Sequence, residues 1–174
     1  MKLELKNITY YKQGSQETPC YNAIVYVDGK KMIDVGNDGH GGSDRQNSYG
    51  DYSWKEVDKV DSWIKDNFPK GSFQSGGETH YYDYDLESFC HDKLYDWLDT
   101  KSLKKDMKGK YLFVEKGQLM AYKRIASDTE TTFKDFFKKN HPTSKCLNFL
   151  PFDDALKLYK ECAYWKKSDL VLEQ

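Results

Sequence analysis

The residues best suited to chemistry lie in one short run, Asn37-Asp38-Gly39-His40-Gly41-Gly42. Glycines following a strand let the backbone adopt positive φ and aim successive amides at one anion. Asp38 and His40 add a carboxylate and an imidazole two residues apart. A phosphate or nucleotide contact is therefore the sharp reading of Asn37, Asp38, His40, Gly41 and Gly42. The bland reading is a loop whose Asn, Asp and Gly build successive tight turns. No GK[ST] follows, and the GxGxxG order with its following helix is missing, so neither a P-loop nor a dinucleotide fingerprint is present.

The four histidines, His40, His80, His91 and His141, form no HxxxH or HExxH pair. His40 and His80 fall in two segments without periodicity and could meet, with Asp38 or Asp83, around a metal; no spacing supports it, and no metal or cofactor is expected. His91 sits beside a helical apolar stripe and reads as a half-buried or surface residue. His141 precedes Pro142 at a helix end, where a cation is favourable. Cys20, Cys90, Cys146 and Cys162 have no CxxC spacing. They read as free thiols, most of them buried, in a reducing compartment. There is no G-x-S-x-G elbow, and Cys90-His91 are adjacent rather than facing each other. No catalytic residue is assigned, and the chain is not expected to be an enzyme.

Composition supplies the third candidate. Segments 36–52 and 69–84 are rich in Gly, Ser, Asn, Asp and Tyr. Tyr49 and Tyr52 mark the first; Phe73, Tyr81, Tyr82 and Tyr84 mark the second, with His80 beside them. Tyrosine offers a large amphipathic contact for few rotors, and Gly, Ser and Asn adapt to a partner. The opposing reading is that the tyrosines fold back over a sheet. Lys30, Lys31 and Arg45 beside aromatic residues also suggest single-stranded nucleic acid, but Asp34, Asp38, Asp44 and Asp51 cancel that charge, so this is not the favoured partner.

The elements that would position these residues are readable. Residues 2–11, 20–28 and 30–35 predict a three-stranded antiparallel meander turning at Asp28-Gly29. Ser53 and Glu56 have capping-box spacing and start a helix with Trp54, Val57, Val60, Trp63 and Ile64 at helical intervals. A longer helix is predicted from about Asp85 to Met107, along Leu86, Phe89, Cys90, Leu94, Trp97 and Leu98. A second hairpin turns at Lys116-Gly117. Ser127 and Glu130 repeat the capping-box spacing before Phe133, Phe136 and Phe137. Pro151 opens a last helix along Phe152, Leu156, Tyr159 and Ala163, and the tail from Lys166 is expected to fray. The fold class is α+β: an antiparallel sheet and a second hairpin packed with about four helices. At 174 residues the chain is expected to form one domain. Aromatics are 16% of it, so the core must be built largely of rings. A net charge of −1 gives no basic excess for nucleic acid. No apolar run reaches transmembrane length, no signal peptide is expected, and the expected location is cytoplasmic.

Val27-Asp28-Gly29-Lys30 followed by Asn37-Asp38-Gly39-His40-Gly41-Gly42 resembles a family of small proteins of phages and other mobile elements. The long helix into Leu103-Lys104-Lys105, the Phe113-Val114 strand and Leu147-Asn148-Phe149-Leu150-Pro151 before Ala155-Leu156 fit the same pattern. The resemblance runs from the first strand to about residue 163. It brings no activity and no catalytic residues to carry over. What it implies is habitat, and with it the class-level expectation of a host-cell accessory protein that inhibits a host defence protein or ribonucleoprotein complex.

Overall fold

The computed structural model describes residues 1–127 and 129–169, with side chains through Cys162. The chain divides into two compact units, Met1–Asp96 and Trp97–Gln174. No described helix is long and apolar enough to cross a membrane.

In the first unit, β1 (Leu3–Tyr10), β2 (Tyr21–Val27), β3 (Lys30–Asn37) and β4 (Arg45–Ser48) form one antiparallel sheet in sequential order. The meander is therefore four-stranded, not three. Asn7 sits at φ 56, where the register of β1 shifts between Lys6 and Thr9. That bulge explains why Leu3, Leu5 and Ile8 alternate imperfectly. The β2–β3 turn places Asp28 at φ 49 and Gly29 at φ 82, as a two-residue hairpin turn requires. β2 buries Tyr21, Ala23, Val25 and Val27 on one face.

Ser53 and Glu56 close the predicted capping box at the start of α1 (Trp54–Asn67), which buries Val57, Val60 and Ile64 and packs on β3 and β4. Segment 69–84 is not irregular. It contains a second hairpin, β5 (Gly71–Ser75) and β6 (Glu78–Tyr82), turning at Gly76-Gly77 with φ 61 and 83. Its composition concealed the strands, because Gly, Ser, Gln and Thr dilute the alternation that marks a half-buried strand.

α2 (Leu86–Gly109) follows the predicted bounds closely. In the second unit, β7 (Lys110–Glu115) pairs with β8 (Gln118–Lys123) and β9 (Lys145–Cys146) in the order β8-β7-β9. One face of β7 carries Tyr111 and Phe113 into a cluster with Phe133, Phe137 and Cys146. The other face carries Leu112 into a cluster with Leu103, Leu147 and Ala155. α3 (Glu130–Asn140) is capped by Thr129 and Thr132, not by Ser127 and Glu130. Each threonine hydroxyl accepts the other's backbone N–H, at 3.1 and 3.0 Å. Glu130 is left free to pair with Lys134 one turn on. Phe133 and Phe137 are buried, whereas Phe136 is exposed. α4 (Phe152–Asp169) begins just after Pro151, and Phe152, Leu156 and Tyr159 face the second cluster as expected. The side chains from Ala163 onward, and residues 170–174 of the tail altogether, lie outside the described residues.

Candidate functional site

The loop after β3 is organised by one buried side chain. Asn37 Oδ1 accepts from Thr18 Oγ1 at 2.5 Å and from the Gly39 amide at 2.9 Å. Its Nδ2 donates to the Gly42 carbonyl and to Asp44 Oδ1, both at 3.1 Å. The Gly39 carbonyl accepts the amides of Gln16, Glu17 and Thr18, lacing this loop to the β1–β2 connection. Gly39 has φ +89, and a Cβ there would overlap the Gly14 carbonyl oxygen, so the position requires glycine. The His40 amide donates to Asp38 Oδ1, and the Gly41 amide to Thr18 Oγ1, each at 3.2 Å. The amides that would cradle an anion at Gly39, His40 and Gly41 are thus donated within the protein. Asp38 and His40 are exposed, and His40 Nδ1 lies 3.2 Å from Gln16 Oε1.

Below the loop, Asp44 is the centre of a polar cluster. Its carboxylate is almost fully buried and accepts from the Tyr21 hydroxyl and Asn37 Nδ2; His91 Nε2 lies 3.3 Å away. The Asp44 amide donates to Glu87 Oε1 at 3.1 Å. Glu87 and His91 stand four residues apart on α2 and so share a face. Burial opposes ionisation of Asp44, but the bonds from His91 and Tyr21 outweigh it and hold the carboxyl below its ordinary value. The bond to Asp44 raises His91 against the effect of burial. Burial, first, pushes the Tyr21 hydroxyl and the Cys90 thiol far up, so neither is an activated nucleophile. One donor atom from each of Asp44, Glu87 and His91 falls within 4.8 Å of the others. Among the described residues this is the group that could hold a cation. His40 and His80 do not join it: His40 faces Gln16, and His80 stacks on Phe73.

The β5–β6 hairpin presents a different chemistry. In its register Gly71 faces Tyr82, Ser72 faces Tyr81 and Phe73 faces His80. Phe73, His80 and Tyr82 therefore share one face. Phe73 stacks on His80 with centroids 5.2 Å apart and lies 6.4 Å from Tyr82. A Cβ at position 71 would collide with the Tyr82 ring, so Gly71 is what lets that ring lie across the strand pair. Phe73 is 54% exposed, Tyr82 46% and Tyr81, on the opposite face, 72%. Every hairpin residue from Ser72 to Tyr82 is exposed.

The remaining predicted residues separate by role. Tyr84 is half-buried, stacks on Phe68 at 5.2 Å and donates to Asp92 at 2.6 Å. Tyr52 is half-buried. Tyr49 is at the margin, 37% exposed with the Lys31 ammonium 5.5 Å from its ring. Arg45 reaches Asn22 at 3.0 Å and Asp34 at 3.3 Å, so its charge is answered within the sheet. Sequence reasoning passed over Tyr21, Asp44, Glu87 and His91 as a group. The i, i+4 spacing of Glu87 and His91 was a usable signal; nothing local marked Asp44 as their partner. Comparison with protein-family models, curated proteins and solved structures finds no match.

Proposed function

We propose that this chain is a non-enzymatic accessory protein that recognises a macromolecular partner through the β5–β6 hairpin and occludes that partner's surface. The observation that carries the reading is the exposed ladder of Phe73, His80 and Tyr82, with Tyr81 behind it. An isolated two-stranded hairpin is marginal in water, and stacked aromatic pairs across it supply local order. Exposed, preordered rings are the residue types that dominate binding energy when a partner desolvates them. Tyr52 and Tyr84 are half-buried and are left out of the proposed contact; Tyr84 is held against Phe68 and Asp92. The likeness to phage and mobile-element proteins supports a host protein or ribonucleoprotein as the partner class, and inhibition of a host defence system as the consequence.

The test has two stages. A photo-crosslinking residue at position 81, in host cells, should capture one dominant partner, and the same residue at position 55 on α1 should not. The affinity of purified protein for that partner should then fall when Phe73 or Tyr81 is truncated. Equal capture from both positions, or affinity indifferent to both truncations, would rule out the hairpin as the contact.

A further inference from the structure

Resting on the proposal that the β5–β6 hairpin is the contact, we infer that what it holds is a basic stretch of protein. Arginine or lysine side chains of that stretch lie across the Phe73, His80 and Tyr82 face with their charge towards Glu78. In the hairpin's register Glu78 faces Ser75, as Phe73 faces His80. Side chains alternate along a strand, so Glu78, His80 and Tyr82 share one side of β6. That face runs from the Tyr82 ring at its base, through the stacked Phe73 and His80 rings, to an exposed carboxylate at its tip. Aromatic faces leading to a carboxylate suit a cation carried on an apolar stem.

The cation has to come from outside the chain. Elsewhere in the first unit the fold sets its own lysines over rings: Lys6 lies 4.9 Å from the Tyr26 centroid, Lys31 5.5 Å from Tyr49 and Lys93 5.7 Å from Phe89. Among the described residues no lysine or arginine lies over Phe73, Tyr81 or Tyr82, and none pairs with Glu78. Lys70, at the base of the hairpin, is held by Asp83 at 2.8 Å.

The surroundings select the sign of the partner. From residue 66 to residue 92 the chain carries six acids, Asp66, Glu78, Asp83, Asp85, Glu87 and Asp92, against the single lysine Lys70. Asp83 follows directly on β6, and Asp92 accepts the Tyr84 hydroxyl at 2.6 Å. A phosphate backbone meets this excess as repulsion, whereas a basic protein segment is drawn towards it. Acids alone would be an ordinary solvated surface, and rings alone would not choose between partners. Here both lie on one hairpin.

Amide chemical shifts of the isotope-labelled full chain, titrated at low ionic strength with three probes, test the assignment. The probes are a peptide of alternating Arg and Thr, its counterpart of alternating Glu and Thr, and oligo-dT. The expected result is that the Arg peptide alone shifts amides between Ser72 and Tyr82, and that added salt reverses the effect. Phe73→Ala and Glu78→Gln should each weaken that binding about two- to fivefold, the size of one exposed cation–π contact or ion pair. Asp58→Asn, the same change of charge on α1, should leave it unchanged. Amides far from each substitution report that the variant is folded. Equal weakening by Glu78→Gln and Asp58→Asn would reduce the effect to diffuse charge and overturn the proposal. Hairpin shifts caused by oligo-dT or the Glu peptide, Arg-peptide shifts confined to other residues, or no shifts at millimolar concentration would overturn it too. Each of these results leaves the hairpin contact standing wherever crosslinking at position 81 still captures a partner, so the two claims fail separately.

Discussion

Asp44 ties several elements of the first unit together. It is a buried carboxylate that joins β2 through Tyr21, β3 through Asn37 and α2 through His91 and Glu87. Removing it strands several polar groups at once, so Asp44→Ala should lower unfolding free energy by about 3 kcal/mol or more in urea denaturation. His91 sets a pH signature. Its pKa is raised in the folded state, so the pair's stabilisation is fully present below about pH 6.5, the unfolded value, and is lost as pH rises through the folded value. Asp44 is depressed, so its share is present above its unfolded value and lost as pH falls through the folded one. The stability gap between the wild type and His91→Gln should therefore be widest just below about pH 6.5 and shrink as pH rises through the folded value of His91. A gap that grows with pH would contradict the pairing. Cys20, Cys90, Cys146 and Cys162 form no disulfide, and only Cys20 is not buried. A thiol reagent should accordingly modify one cysteine rapidly in the native protein and four after denaturation; fewer than four would mean a disulfide.

Elements divide by how their signals are written. The hairpins at Asp28-Gly29 and Lys116-Gly117, the Ser53–Glu56 cap and the apolar stripe of α2 were legible because each rests on local spacing. The β5–β6 hairpin was missed although Gly76-Gly77 is an equally good turn signal. With neither face of the hairpin buried, its residues were never required to alternate. β4 was missed for a related reason: Arg45-Gln46-Asn47-Ser48 is polar throughout and is a strand only because β3 offers it an edge. In the Asp44 cluster only the i, i+4 spacing of Glu87 and His91 is written locally; Tyr21, Asn37 and Asp44 join it through tertiary structure. Gly71 gives the hairpin a test of its own. Gly71→Val should displace the Tyr82 ring and disrupt the aromatic face, weakening partner binding. Global stability should change by less than about 1 kcal/mol, because the side chains affected are exposed. A large loss of stability would mean that the hairpin belongs to the core.

At the scale of the whole molecule, the overall charge is misleading. A near-zero net value gave no basic excess for nucleic acid, yet the acidic and basic residues segregate between the two compact units: 11 Lys and Arg against 17 Asp and Glu in residues 1–96, and 16 against 11 in residues 97–174. The exposed aromatic hairpin belongs to the first of these units, the acidic one. The recognition claim is tested most directly by measuring affinity for the crosslinked partner and melting temperature on the same three variants, Phe73→Ala, Tyr81→Ala and Tyr82→Ala. Truncated anchors cost about 1–2 kcal/mol each, roughly five- to thirtyfold in affinity. The account predicts losses of that size with the melting temperature essentially unchanged. Unchanged affinity per folded molecule with a lowered melting temperature would contradict it and make the hairpin rings part of the fold.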